Sequence, residues 1–542
     1  MNRTWLAVAL CCVVWFGYMR WFAPPMDPPT GVPAATNSTA GDNKPTLSQG
    51  SGIPVAGSVP TSAFATRPVL TADSDRLSSP AREVALSNTG GKIASIRLLE
   101  FTQTLAKDSP KIESLDPNSM PHTFGALFTE PILNQLGTGA FTKKKNGGTV
   151  AFEKTVAGVS MVKTYAPGEG DYFVTHEIRL KFPAGDRKDF GYLMVPVGGV
   201  GLTPNHEDPL LAWEALAFQN DSLTRKKIED VKEGQEVLQG ASKWIAFGNR
   251  YFSNAVVNES AFNPDVIFEK NADFTGAYMR FPLVVKESDR EIFLRFKIYS
   301  GPKEYSELAR VPGLRQLIDY GMFSFLAYPL LELLRFFNRF VHNFGVAIIL
   351  LTLLVRIIFY PLSLKSYRSM KAMQKLQPQI TALKEKYKED AQKFGQEQMA
   401  LFRAHKVNPA GGCLPILVQL PVFIALYAVL QNSVELFHAP FFGWVQDLSS
   451  RDPYFIFPVL MGISMFVQQK MTPAAGMDPM QQKILLLMPI IFSAVMFNLP
   501  SGLTMYIFVS TLLGILQQTL MNREQKPKGP KAVVSVPPTP AG

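Results

Sequence analysis

Ile348-Ile349-Leu350-Leu351-Thr352-Leu353-Leu354-Val355-Arg356-Ile357-Ile358-Phe359-Tyr360 is an apolar run broken by a single full charge. Such a run suits a helix in hydrocarbon, where every backbone N–H and C=O must be satisfied within its own segment. A charge at that depth is costly and faces either a cavity or a partner. Arg356 stands nine residues before Lys365, about 13 Å along a continuous helix at ~1.5 Å per residue, farther than snorkelling covers. The apolar segments offer it no carboxylate; Glu435 lies at a segment end, on the opposite side. Two readings stay open. Arg356 is either a structural group bonded to helix-end carbonyls or the charge of a hydrated pocket, open to the cytoplasm, that attracts acidic or polar parts of a passing chain. Thr352, Gln419, Gln431, Ser493 and Thr504 are placed to join such a lining, and each has the alternative of satisfying a neighbouring helix.

Around this run lie further apolar segments. Transmembrane helices are expected at 344–364, 413–435, 454–470, 484–499 and 503–520. Tyr454 to Gln469 and Ile484 to Leu499 each hold sixteen uncharged residues, about 24 Å of helix against a hydrocarbon core of about 30 Å. Short spans thin the bilayer, and thinning beside a wet half-channel lowers the barrier to a polar segment. Ahead of them, 326–343 carries Leu330, Leu331, Leu333, Leu334, Phe336, Phe337 and Phe340 among Glu332, Arg335 and Arg339. That is an amphipathic helix suited to lie on the membrane.

Loop charge sets the orientation. Residues 365–412 hold ten basic side chains, and 470–483 and the tail, 521–542, add more, whereas 436–453 holds only Arg451. The positive-inside rule places the basic loops in the cytoplasm. Both termini are then cytoplasmic and the preceding soluble region lies outside. Within 365–412, Met370, Met373, Leu376, Ile380, Leu383 and Tyr387 recur at helical spacing, and Gly395 marks a weak point before Met399 and Phe402. Two antiparallel helices fit. Their methionines suit varied partners, and equally suit packing between the two arms.

Upstream, residues 81–310 read as an all-β sandwich. Ile292, Leu294, Phe296 and Ile298 alternate with Phe293, Arg295, Lys297 and Tyr299, the period of a half-buried strand. Asn88-Thr89-Gly90-Gly91, Gly198-Gly199 and Gly301-Pro302 read as turns. Residues 24–80, rich in Pro, Gly, Ser, Thr and Ala, read as a flexible linker. Residues 1–23 read as an anchor helix, since no small-x-small cleavage site follows the apolar run.

Several function classes recede. The chain has 542 residues and a net charge of +10, but the basic residues cluster between apolar runs, where membrane orientation explains them better than nucleic acid. His122, His176 and His206 lack metal-ligand spacing, and Cys11, Cys12 and Cys413 fall in or beside apolar runs. No nucleotide loop, metal cluster or nucleophile–base pair is evident, so neither an enzyme nor a cofactor is expected. A secondary transporter with a sugar-binding outer domain is the alternative, although no internal repeat relates the segments and no small-molecule substrate is implied.

Arg356 with Tyr360-Pro361-Leu362 is followed by Asn408-Pro409-Ala410-Gly411-Gly412-Cys413, then by Pro415, Gln419 and Pro421. Asp478-Pro479-Met480-Gln481-Gln482-Lys483 and Pro500-Ser501-Gly502-Leu503 come next. In order and spacing these stretches resemble the YidC insertase family. Tyr251-Phe252 and Tyr299-Ser300-Gly301-Pro302 are similar to motifs in the periplasmic domain of its Gram-negative members. The resemblance implies a membrane protein of the bacterial inner membrane with six spans, five in the core plus the N-terminal anchor, and a periplasmic domain like a sugar-mutarotase sandwich without its chemistry. It implies a hydrophilic groove holding Arg356, which receives nascent membrane proteins and releases them into the lipid bilayer, alone or with the Sec translocon. Ribosome contact is implied too, though the tail is short and only modestly basic.

Overall fold

The alternation at Glu291–Pro302 becomes the central strand of the β region. Ile292, Leu294, Phe296 and Ile298 are all buried. The computed structural model describes residues 75–524 apart from 116–122, 184–187, 200–212, 272–274, 286–289, 389, 409–413 and 472–478. The anchor at 1–23, most of the linker and the tail beyond 524 lie outside the described residues.

Instead of one two-layer sandwich, three antiparallel sheets form. A nine-stranded sheet runs Ser222–Lys227, Glu214–Gln219, Ser242–Gly248, Phe252–Asn258, Glu291–Pro302, Phe173–Lys181, Val159–Pro167, Thr149–Val156 and Thr142–Asn146. A five-stranded sheet packs on its face, in the order Gly234–Leu238, Asp265–Lys270, Thr275–Val285, Lys188–Val197 and Leu127–Phe128. Phe281 meets Phe296 edge-on across this interface, centroids 5.6 Å apart. The third sheet has four strands, Asp75–Ser78, Arg82–Ser87, Lys92–Thr102 and Lys111–Glu113. The strand Asp75–Ser78 therefore falls inside the stretch expected to be linker.

The third sheet is joined to the first by buried polar groups. Ser114 and Ser300 hydroxyls both donate to Asn254 Oδ1, at 2.9 and 2.8 Å. This covering layer explains a departure from the expected pattern. Tyr299, Gly301 and Pro302 are buried and remain in strand, paired toward Phe252 and Ser253, instead of turning at Gly301-Pro302. The Asn88–Gly91 turn does form, with Gly90 and Gly91 at φ of 78° and 48°, the left-handed region that glycine tolerates.

From residue 324 the chain is helical. The α-helices are α1 (Ser324–Val341), α2 (Phe344–Ile358), α3 (Tyr360–Lys375), α4 (Gln377–Lys386), α5 (Ala391–Ala404), α6 (Leu414–Asn432), α7 (Ile456–Met471), α8 (Pro479–Val495) and α9 (Ser501–Glu524). Helix α1 buries Ala327, Leu330, Leu331 and Leu334 against α2 and α6, and leaves Phe325, Phe336 and Phe340 exposed.

The helix formed by the apolar run does not continue to residue 364. It stops at Ile358, and α3 leaves at 58°. Pro361, in the first turn of α3, has no N–H for an i→i−4 bond and crowds the carbonyl behind it. The basic hairpin's first arm therefore starts at Tyr360, five residues before the expected 365. Leu376, Ile380 and Phe402 pack between its arms, with Met373 against them. The reversal falls near 387–390, and Gly395 lies inside α5.

By length and composition, Ser501–Asn522 is long and apolar enough to cross a membrane, and α2 and α3 pass the same test only as a bent pair. Helix α6 (over Leu417–Asn432) and the region Leu486–Asn498 are shorter apolar stretches. Helix α9 extends beyond the expected 503–520 at both ends. Helix α8 starts at Pro479, well before the expected 484, and gives way to a 3-10 turn at Met496–Asn498.

Candidate functional site

Because α2 ends at Ile358, Arg356 occupies its last turn, where the helix dipole favours a cation. The break also revises its depth. With α3 bent away by 58°, the axial distance from Arg356 to Lys365 falls to roughly 10 Å at ~1.5 Å per residue. The guanidinium lies against α9. Its Nη2 donates to the Ser510 carbonyl at 2.6 Å and to Ser510 Oγ at 2.8 Å. Its Nε is buried without a partner. No described carboxylate forms an ion pair with it, and Glu435 is bound elsewhere, by Arg335.

Gly514 of α9 faces both Arg356 and α7. A Cβ there would sit 3.4 Å from Arg356 Nη2 and 2.5 Å from Gln468 Nε2 of α7. Arg356 thus lies where three helices converge. Ser510, Thr511, Gly514, Gln517 and Gln518 recur at helical spacing down α9. Gln518 donates to the Met471 carbonyl at 2.8 Å, and Gln517 Nε2 is buried without a partner. These residues were not among those the sequence singled out. Their signal was a polar stripe of period 3.6 within an apolar helix.

The expected lining residues separate into groups. Thr352 lies one turn before Arg356 on the same face of α2, and its hydroxyl donates to the Ile348 carbonyl at 2.6 Å. Thr504 donates within α9 to Ser501 at 3.0 Å. Ser493 ties α8 to α7 by donating to the Pro458 carbonyl at 2.7 Å, beside Gly462. Gln419 and Gln431 are half-buried at opposite ends of α6, about 18 Å apart at ~1.5 Å per residue. The structure brings Thr352 and Arg356 together on α2, with Arg356 bonded to the α9 stripe at Ser510.

Pro500-Ser501-Gly502-Leu503 has a structural task. Ser501 N–H and Oγ–H donate to the Ser450 and Asp447 carbonyls at 2.7 and 2.8 Å, and Gly502 N–H donates to Leu448 at 2.9 Å. This fixes the start of α9, and so the height of Ser510, against the α6–α7 connection. The same connection meets the β region. Phe437 lies 5.2 Å from Tyr251, 5.3 Å from Phe252 and 6.3 Å from Phe101, ring centre to ring centre. Arg335 Nε donates to Glu435 at 2.9 Å beside it.

Residues 336–528 match the profile of the family described as 60Kd inner membrane protein. Residues 76–333 match that of the YidC periplasmic domain. A relative in Geobacter metallireducens, named membrane protein insertase YidC, is 34% identical over 541 residues, covering 96% of this chain and 98% of the relative. One of the same name in Syntrophobacter fumaroxidans is 34% identical over 466 residues, covering 80% and 83%. Among solved structures, an active YidC insertase with its first transmembrane domain resolved is 22% identical, covers 85% of this chain and 96% of that one, and superposes with a TM-score of 0.34. With two profiles side by side along the chain and identity at this level over nearly its whole length, the chain belongs to the YidC family of membrane protein insertases.

Proposed function

We propose that the chain inserts nascent membrane proteins into the bacterial inner membrane, and that Arg356 is the point at which a polar or acidic stretch of the client is first held. The carrying observation is a guanidinium bound on one side by Ser510, with a buried unpartnered Nε and no acid paired with it among the described residues. Such a group has donor capacity left for a client carboxylate or backbone carbonyl. No bond-making chemistry is involved. The relatives above are insertases by name, and the transporter alternative has no counterpart among them.

In the orientation that loop charge favours, both termini and the α3–α5 hairpin are cytoplasmic, and the β region and the α6–α7 connection are periplasmic. The 1–23 anchor and the segments around α2, α6, α7, α8 and α9 make six spans. Thr352, Gln419, Gln431, Ser493 and Thr504 remain candidate client contacts, of which Thr352 lies nearest Arg356. The ribosome and the Sec translocon are the proposed partners, and chaperoning of helices before release is part of the same cycle. In a cysteine-free background, cysteines at Lys144 and Gln446 should react with an impermeant external reagent, and one at Lys393 should not. Labelling at Lys393 from outside would refute this orientation.

The functional test is insertion of matched clients with acidic and neutral translocated tails. Arg356→Ala should lose most insertion of the acidic client and less of the neutral one. Arg356→Lys, which keeps the charge but not the planar fork, should retain much of both. Equal loss for both tails at normal protein levels would mean that Arg356 serves hydration or folding generally.

A further inference from the structure

Where the β region meets the interfacial helix there is a cleft of about 470 Å³. Glu304, Tyr305 and Ser306 form one wall, Glu332, Arg335, Asn338 and Arg339 of α1 the other, and Phe344 closes the end. Its volume falls within the roughly 300–1,000 Å³ of small-ligand sites. Its charges balance, two guanidiniums against two carboxylates, but they are unequally engaged. Arg335 is occupied by Glu435 and Glu332. Arg339 has no ion pair among the described residues, and Asn338 Oδ1 is buried with no donor.

The same helix carries an apolar surface beside the cleft. Phe336 and Phe340 stack edge-on at 4.9 Å and are 50% and 69% exposed. A polar cleft adjoining exposed aromatic rings suits a molecule with a charged head and an apolar tail. A purely anionic head would meet Glu304 and Glu332, and a purely cationic one would meet Arg339. A head carrying both signs satisfies both walls, with phosphate on the free guanidinium and a primary ammonium donating to the carboxylates and to Asn338.

We propose that this cleft holds the headgroup of an outer-leaflet phospholipid bearing both a phosphate and a primary amine, its acyl chains lying along Phe336 and Phe340. This rests on the membrane orientation given above, which sets α1 at the outer surface. The bound lipid would join the β region to α1 at the height where α2 enters the bilayer.

The test uses the full chain in phosphatidylcholine nanodiscs carrying a trace of photoreactive phosphatidylethanolamine, with matched phosphatidylcholine and phosphatidylglycerol probes, and maps the crosslinked peptides. The amine probe should label the α1 peptide well above the other two. Arg339→Gln and Glu304→Gln should each cut that labelling about tenfold, the loss expected for one charge-assisted bond of ~1.4 kcal/mol. Labelling of α8, whose Ile490 and Ile491 are exposed, should be the same for all probes and variants, which reports correct folding and membrane seating. Equal α1 labelling by the three probes, strongest labelling by phosphatidylglycerol, or indifference to both substitutions overturns the headgroup site. Loss of α8 labelling in the unsubstituted protein would instead overturn the membrane orientation.

Discussion

Arg356 and Lys163 are cations in unfavourable surroundings that the fold treats differently. Arg356 keeps its Nε unpartnered beside Gly514. Lys163 is fully buried in the strand Val159–Pro167, donating to the Gly90 carbonyl at 2.7 Å. Burial, with Lys92 and Lys154 adding repulsion, brings its pKa from 10.5 down to about 7. Lys92 and Lys303 are brought by burial to about 8. Between the folded and unfolded values the unfolded chain holds protons that the fold has released. Stability therefore rises as pH climbs through that window, and these groups add no slope below about 7. Urea unfolding of the detergent-solubilised protein, followed by its β-sheet circular dichroism, should show a higher midpoint at pH 9 than at pH 7. Lys163→Met should remove about 2 kcal/mol of that gain. An unaltered pH dependence in Lys163→Met would mean that the ammonium is hydrated and carries no such shift.

Among the helices, glycine positions fix how closely the elements approach. A Cβ on Gly345 would lie 2.1 Å from Cδ2 of Phe441, so α2 enters the core only because that side chain is missing. Gly345→Ala should destabilise the helical region by about 1–3 kcal/mol, the usual cost of overpacking. In a Phe441→Ala background the added cost should largely vanish, since contacting sites are non-additive. Thermal unfolding of the four proteins of this cycle in detergent checks it, and additive losses would place the clash elsewhere. Periodicity made much of this architecture legible. The alternation at 292–299 marks a strand, the leucines of 326–341 a one-sided helix, and the Arg356 run an apolar helix. The end of that helix was misplaced because hydropathy continues through Phe359 to Leu364 while the backbone answers to Pro361. Gly395 does not break its helix, because a lone glycine costs a helix only about 1 kcal/mol. The Ser510–Gln518 stripe has no single-residue signal, because each of its polar members is common alone in an apolar helix.

At the scale of the molecule, the β region and the helices are joined through Phe437 in its pocket of Phe101, Tyr251 and Phe252, while the Arg335–Glu435 pair ties α1 to the α6–α7 connection that carries Phe437. No pattern in the sequence forecasts this contact, since its partners are more than a hundred residues apart and each ring looks like ordinary core. A chain lacking 81–290 loses that pocket. It should still insert simple clients, because Arg356, the hairpin and the α9 stripe all lie later, but its helical region should melt at a lower temperature. Phe437→Ala should lower the melting temperature of the full chain and add little to the truncated one. Failure of a stable, correctly inserted truncation on every client would make the β region part of the mechanism. The bend at Phe359 has a mechanical consequence for this assembly. Helices α3 and α4 together reach about 39 Å beyond it at ~1.5 Å per residue, so they form a long arm on a short pivot. A swing of about 10° at the pivot would carry the hairpin tip roughly 7 Å on that geometry, while Arg356, one turn inside the fixed side, would scarcely move. In the proposed orientation such a swing would take place on the cytoplasmic side and would have to release the bond from the Tyr367 hydroxyl of α3 to Asn522 of α9, while Arg356 stays in place.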